Sequence, residues 1–326
     1  MARRIFAVVL IVLALSIAAA SVVLAANSNQ SASLTNTPSP TPVPLSPTPT
    51  PVPTPVLTPK GQPAAITATA AILLDDNTDN ILFSQDAHQP LPMASTTKIM
   101  TAIIAIQTGN LDQQVTIGQD AVNEVVLNGG SGAGLVAGDK LSLRDLLYGL
   151  MLPSGDDAAV AIADAIAGSV PNFVRIMNLE AQRLHLYQTH YANADGLEVT
   201  DSQGNVISGV HYTSAYDLVR LARYAMSIPL FAQIVQTEHY TVPASATNHL
   251  YKWTNINNLL YDYKGAIGIK TGWTPQAGGC LVFAARRNNQ TLIGVVLHSS
   301  NETTRFSDAT TLLNWGFALP LLPPAP

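Results

Sequence analysis

The sequence predicts an α+β fold: a mainly antiparallel sheet built from both ends of the foldable region, covered by its first and last helices, with a helical region inserted in mid-chain. Three observations lead there. Residues 66–75 and 81–84 are strand-like runs around the turn Asn77-Thr78-Asp79-Asn80, an opening hairpin. Residues 142–150, 157–167, 170–184 and 213–226 are small or carry apolar side chains at helical spacing. After Pro229 the period changes, and residues 238–242, 266–271, 279–285 and 292–298 read as strands. Turns at Gly272-Trp273-Thr274-Pro275 and Arg287-Asn288-Asn289-Gln290 join the last three, and links this short make neighbours antiparallel.

In chain order, Met1 to Arg4 carries two arginines and residues 5–26 form an unbroken apolar or small run, the pattern of an export signal. The run is also long enough to span a bilayer, so residues 1–26 are a signal peptide or a signal anchor. Residues 27–63 form a Pro/Thr-rich linker. Ten prolines between Pro38 and Pro59 remove donors and fix φ, so this stretch packs no core and extends as a polyproline spacer of ~3.1 Å per residue. Residues 64–318 are the folded domain, and 319–326 a short tail.

Within that domain a helix starts at Ser95 and runs to about Thr108, where Gly109-Asn110 ends it. Residues 129–134 are a flexible glycine-rich loop that lacks the Lys-Ser/Thr ending of a phosphate loop. Ser142 caps the helix over 142–150, and Pro153 breaks the chain before Ser154. Thr213 or Ser214 caps the next amphipathic helix, with Leu218, Leu221, Ala222 and Ala225 as its buried stripe. Residues 303–317 close the domain as a helix, on which Arg305 and Asp308 fall at the spacing of a surface pair.

With 47% hydrophobic and 11% charged residues, the 326-residue chain can bury a sizeable core. A net charge of −5 and the lack of any basic stripe argue against a nucleic-acid partner. The single cysteine, Cys280, lies in an apolar run, reads as a buried strand residue and forms no internal disulfide. No His/Cys spacing suggests a metal, and no cofactor is expected.

Chemistry is carried by three short strings in order. Ser95 and Lys98 stand three residues apart at the start of a helix, so the lysine amine can reach the serine oxygen as its base. Ser154-Gly155-Asp156 and Lys270-Thr271-Gly272 follow. Each string alone has a plain structural reading: a helix cap for Ser95, a strand end and turn for Lys270 to Gly272. Together they are the set used by penicillin-binding proteins and class A β-lactamases. Further matching stretches are Asn193-Ala194-Asp195-Gly196-Leu197, His211 with Tyr216-Asp217-Leu218, Asn255-Ile256-Asn257 and Ala277-Gly278-Gly279-Cys280-Leu281.

On these residues, from about Ala64 to Phe317, the chain resembles the serine-type D-alanyl-D-alanine carboxypeptidases, the low-molecular-mass penicillin-binding proteins. The resemblance implies a β-lactamase/transpeptidase-like fold: a five-stranded sheet between helices, a helical part beside it, and the site in the crevice. It implies that Ser95 attacks the penultimate D-alanine carbonyl of a peptidoglycan stem peptide, Lys98 takes the proton, Ser154 relays one to the leaving amine, and water releases the acyl group. Lys270 and Thr271 would hold the terminal carboxylate and Gly272 would admit the substrate backbone. The N–H groups of Ser95 and Trp273 would form the oxyanion hole. β-Lactams would be covalent inhibitors, and the enzyme would act outside the cytoplasm, with membrane contact only through its N-terminal segment.

The second string departs from the family, which usually has asparagine where this chain has Asp156. An ionised carboxylate accepts only, so Asp156 either accepts from Lys98 or is held protonated. His211 reads as a residue bracing a loop, and Asn193, Asp195 and Gly196 as the rim of the cleft or a simple turn. The rival readings are a D,D-endopeptidase using the same residues and a non-catalytic β-lactam- or wall-binding module. A class A β-lactamase is disfavoured because no Glu-x-x-Leu-Asn string follows Ser154.

Overall fold

The computed structural model describes residues 55–322; the proposed signal segment and most of the proline-rich linker lie outside them. The central sheet has five strands in the order β3-β2-β10-β9-β8, all antiparallel. They are β2 (Ala70–Asp75), β3 (Asn80–Gln85), β8 (Ala266–Thr274), β9 (Gly278–Arg287) and β10 (Gln290–Ser299). Both faces are covered, which is why the strands read as near-continuous apolar runs. Alternation decides which face each side chain meets: Ile72, Val282 and Val295 turn to the large helical core, while Leu73, Phe283 and Val296 turn to the C-terminal helix.

Nine α-helices occur among the described residues: α1 (Lys98–Thr108), α2 (Gln119–Asn128), α3 (Leu143–Met151), α4 (Asp156–Ala167), α5 (Val170–Arg183), α6 (Ala215–Met226), α7 (Pro229–Gln236), the one-turn α8 (Leu259–Asp262) and α9 (Thr304–Phe317). The caps fall where side-chain chemistry puts them: Ser142 accepts from Asp145 N and Ser214 from Asp217 N.

One expectation about the layers is corrected. The last helix, α9, does lie on the sheet, but the opposite face is covered by α6 and α7, and α1 packs among α3, α4, α6 and α7. The reason is compositional. Lys98 through Ala105 are all buried, so the first two turns of α1 have no solvent face and belong in the centre of the helical layer, whereas α6 offers one apolar stripe to the sheet.

The linker boundary also shifts. Val56 and Leu57 form β1 and pair with Leu321 and Leu322 of β11, and Leu57 is buried, so the end of the spacer and the start of the tail belong to the folded body. Two short ribbons were not expected: β4 (Gln114–Thr116) with β5 (Lys140–Ser142), and β6 (His239–Val242) with β7 (Tyr251–Thr254). The strand expected over 238–242 therefore exists but lies outside the main sheet.

Candidate active site

The site is built where a short turn, a loop and a sheet edge meet. Ala94–Thr97 form a 3-10 turn that leads into α1. Its threonines tie it down: Thr96 Oγ1 donates to Met93 O at 2.7 Å and Thr97 Oγ1 to Ala94 O at 2.8 Å. Because Ser95 and Lys98 are one turn apart, the Lys98 Nζ reaches Ser95 Oγ at 2.9 Å. Lys98 is fully buried, and its other two donors go to Asp195 O at 2.8 Å and to Asp156 Oδ1. All three ammonium protons thus have acceptors, which a buried lysine requires.

Asp156 opens α4, where the helix N-terminus favours a carboxylate. Its second oxygen, Oδ2, accepts from Ser131 N at 2.6 Å. Asp157 accepts from Ala133 N at 2.8 Å and Leu135 N at 3.0 Å. The glycine-rich loop read as flexible is therefore stitched to the start of α4 by two carboxylates, and its backbone becomes one wall of the cleft. Ser154, buried and at φ 68°, stands just before the Gly155 N-cap. Among the described residues its hydroxyl has no protein partner.

The facing edge is β8. The expected turn at Gly272 to Pro275 is corrected here: the strand continues through Thr274, with Gly272 opposite Cys280 and Trp273 opposite Gly279, and the chain turns at Pro275–Ala277. Thr274 Oγ1 accepts from Ala277 N at 3.0 Å and closes that turn. Lys270 is buried, with its Nζ donating to Thr271 O at 2.9 Å. Burial, then the charges of Lys98 and Arg305, push the Lys270 amine well below the usual lysine range, against an opposing pull from Asp156. Cys280 is buried on the neighbouring strand, as its apolar run suggested, and burial raises its thiol to about 11.

Close backbone packing fixes the turn that bears Ser95. A Cβ on Gly272 would lie 3.1 Å from Ser95 N, so the strand edge runs directly beside the Ser95 amide. Gly196, at φ 98°, lies over the preceding peptide, where a Cβ would fall 1.9 Å from Ala94 O. Asn193 and Asp195 shape this turn: Asn193 Oδ1 accepts from Gly196 N and Asp195 Oδ1 from Leu197 N, both at 2.8 Å. The turn presents Asp195 O to Lys98. Burial and then the Asp156 charge push the Asp195 carboxyl up to about 7.

His211 braces this region. Its Nδ1 accepts from Ala192 N at 3.0 Å, which leaves Nε2 to donate to Thr97 Oγ1 at 2.7 Å. Burial, then the charges of His190 and Lys98, push it down to about 3, so the ring is neutral.

The surface pair expected of Arg305 and Asp308 does not form. Both are buried, because the shared face of α9 points at the sheet. Arg305 Nη1 donates to Gly272 O at 2.7 Å, and Asp308 accepts from Thr67 N at 2.9 Å and from Ser299 Oγ at 2.7 Å. Arg305 thus buttresses the strand edge, a role its spacing did not reveal.

The cleft between these walls has a volume of about 520 Å³ and is lined by Ser95, Ser131, Asp156, Glu198 and Trp273 among others. Ser95, Lys98, Asp156, Lys270, Thr271, Gly272 and Trp273 therefore converge as three strings from distant parts of the chain. Among the described residues no group of His, Cys, Asp or Glu could hold a metal.

The model of the D-alanyl-D-alanine carboxypeptidase family matches residues 57–301. A D-alanyl-D-alanine carboxypeptidase of Streptomyces sp. strain K15 is 41% identical over 266 residues, covering 78% of this chain and 88% of the relative. The carboxypeptidase DacD of Salmonella typhimurium is 38% identical, and there the match spans 64% of the relative's length. The crystal structure of the Streptomyces K15 DD-transpeptidase superposes with a TM-score of 0.73 at 40% identity, over 79% of this chain and all of that one. Penicillin binding protein 6B of Escherichia coli gives 0.69 at 35% identity, covering 79% and 80%. With its motif residues meeting in one cleft and this likeness extending over most of the fold, the chain belongs to the D-alanyl-D-alanine carboxypeptidase family.

Proposed function

We propose that this protein is a serine D,D-carboxypeptidase that removes the terminal D-alanine from peptidoglycan stem peptides through an acyl-enzyme. The observation that carries the reading is the 2.9 Å contact between Lys98 Nζ and Ser95 Oγ at the wall of a cleft that is also lined by β8, the strand that carries a second buried lysine, Lys270. A serine hydroxyl becomes nucleophilic when a base takes its proton. Ser95 Oγ bonds to the penultimate carbonyl carbon as Lys98 accepts the hydroxyl proton. The C–N bond then breaks, and the amine of the leaving D-alanine takes up a proton passed through Ser154. Water, deprotonated in the same way, cleaves the ester.

To take the Ser95 proton Lys98 acts as the free amine. A substrate carboxylate seated at Lys270 and Thr271 would meet the ammonium form of Lys270, which burial otherwise disfavours. Trp273 N–H and Ser95 N–H would hold the oxyanion, each donor contributing ~3 kcal/mol in comparable acyl transfers. β-Lactams would acylate Ser95 by the same attack. The apolar N-terminal run with its leading arginines, the pattern of an export signal, supports action outside the cytoplasm.

Two related readings follow from specific likenesses. Similarity to a solved DD-transpeptidase favours an amine as a second acyl acceptor, and a D-alanyl-D-alanine endopeptidase of Pseudomonas aeruginosa is 31% identical. One experiment separates them: free D-alanine is measured from a D-Ala-D-Ala tripeptide, with and without glycylglycine, and products are scored from a cross-linked stem dimer. Hydrolysis of the tripeptide alone supports trimming, and release from neither ligand overturns the enzymatic reading.

A further inference from the structure

We propose that Glu198 selects acyl donors whose residue before D-Ala-D-Ala carries a free side-chain ammonium, that is, stems with an unlinked diamino acid at that position. This rests on the carboxypeptidase reading above.

The placement follows from the sheet. β8 is an edge strand, so peptide groups on its open side can pair with an extended ligand. With the terminal carboxylate at Lys270 and Thr271 and the reacting carbonyl at Trp273 N–H, the donor runs antiparallel to β8. Each earlier residue of the donor lies about 3.3 Å further towards Gln276. The residue before D-Ala-D-Ala therefore meets the end of the strand, at Thr274 to Gln276.

Glu198 waits at that end. Its Oε1 accepts from Gln276 N at 2.7 Å, which anchors the carboxylate beside the turn that follows β8, and Glu198 lines the cleft. Its other oxygen has no protein donor among the described residues, and no lysine, arginine or histidine there forms an ion pair with it. Around it the lining is polar or uncharged: Leu197, Thr200, Thr274 and Pro275. The second glutamate of the cleft, Glu124, is on α2 at the opposite wall, where it accepts from Asn128 Nδ2 at 3.1 Å and feels the charge of Asp156. It faces the reacting end, so Glu198 is the carboxylate placed for the third residue. An acylated or cross-linked amine has no charge to offer it, so the pair also favours stems that have not yet been cross-linked.

The test compares two tripeptides on the full chain: Nα-acetyl-L-Lys-D-Ala-D-Ala, with a free ε-amine, and its Nα,Nε-diacetyl form. For a partly exposed pair the free amine should raise kcat/KM about fivefold. In Glu198→Gln, which keeps an acceptor for Gln276 N, the ratio should fall to near one, and in Glu124→Gln it should stay. A wild-type ratio of one, or a ratio unchanged in Glu198→Gln, overturns the assignment while hydrolysis of both peptides leaves the carboxypeptidase reading standing. Release of D-alanine from neither peptide overturns that reading instead. Because each ratio is taken within one protein, partial unfolding of a variant does not affect it.

Discussion

Replacing Gly196 by alanine tests whether the turn over Ser95 holds the nucleophile in place. A Cβ there would fall 1.9 Å from Ala94 O and 2.8 Å from Ser95 N, and neither contact is with the flexible end of a side chain. Carbon atoms this close to a carbonyl oxygen must separate by at least about 1 Å to reach ordinary contact, so either the 193–197 turn or the Ala94–Ser95 peptide moves. Movement of the turn withdraws Asp195 O from Lys98; movement of the peptide tilts Ser95 N–H and Oγ together. Misplacement by 1 Å near a reacting group costs about 100-fold in rate. A non-glycine residue at φ 98° adds about 1–3 kcal/mol of strain to the folded state. The assay is the second-order rate of acylation by benzylpenicillin, taken well below the unfolding midpoint, alongside a urea melt. Acylation within about threefold of wild type, a change too small for a shift of that size, would refute the claim that this glycine sets the nucleophile's position.

Asp156→Asn removes the buried carboxylate facing Lys98 while keeping an oxygen acceptor. Lys98 Nζ then loses its charge-assisted contact, and acylation by benzylpenicillin should change by about tenfold or more, because hydrogen bonds to charged groups are worth about 1.5–3 kcal/mol; an unchanged acylation rate contradicts the pairing. His211 is pushed from 6.5 down to about 3 by burial, so the unfolded chain binds more protons there and stability falls as pH drops through 6.5 towards 3. Between pH 6.5 and 5 this loss is about 2 kcal/mol. Asp195, raised to about 7, acts in the opposite sense, losing stability as pH rises from 3.8 through 7. The readout is therefore the gap between wild type and His211→Asn in urea melts, which should narrow on acidification. Arg305→Met leaves Gly272 O without its buried donor and should cost about 1–3 kcal/mol in a urea melt, with slower acylation; a neutral outcome would show that α9 does not support the strand edge.

Much of this was legible because it is local. Apolar runs bounded by turn residues gave β2, β9 and β10, helical spacing gave α3 to α6, and residue type gave the cap Ser142 and narrowed the other to Thr213 or Ser214, of which Ser214 is the cap. The convergence of Ser95, Lys98, Asp156 and Lys270 came from motif order together with the family resemblance, and the contact of Asp156 with Lys98 is one of the two alternatives its carboxylate left open. Features that depend on what lies opposite were not legible. Arg305 and Asp308 look like an exposed pair at helical spacing, and only the packing of α9 on the sheet shows that they face inward. Gly196 reads as a turn glycine until the Ala94–Ser95 peptide is placed beneath it. The Asp195 carbonyl, a main-chain group, leaves no side-chain signal of its contact with Lys98. Val56 and Leu57 sit in a proline-rich context, and their two-residue pairing with Leu321 and Leu322 is too short for any period to show.

The central claim is that Ser95 carries the acyl group. Full-length protein incubated with excess benzylpenicillin and analysed by intact mass and peptide mapping should gain one acyl adduct, on Ser95, absent in Ser95→Ala and slow to form in Lys98→Ala. Folded protein that stays unmodified after prolonged exposure, or an adduct mapped to any other residue, would contradict it.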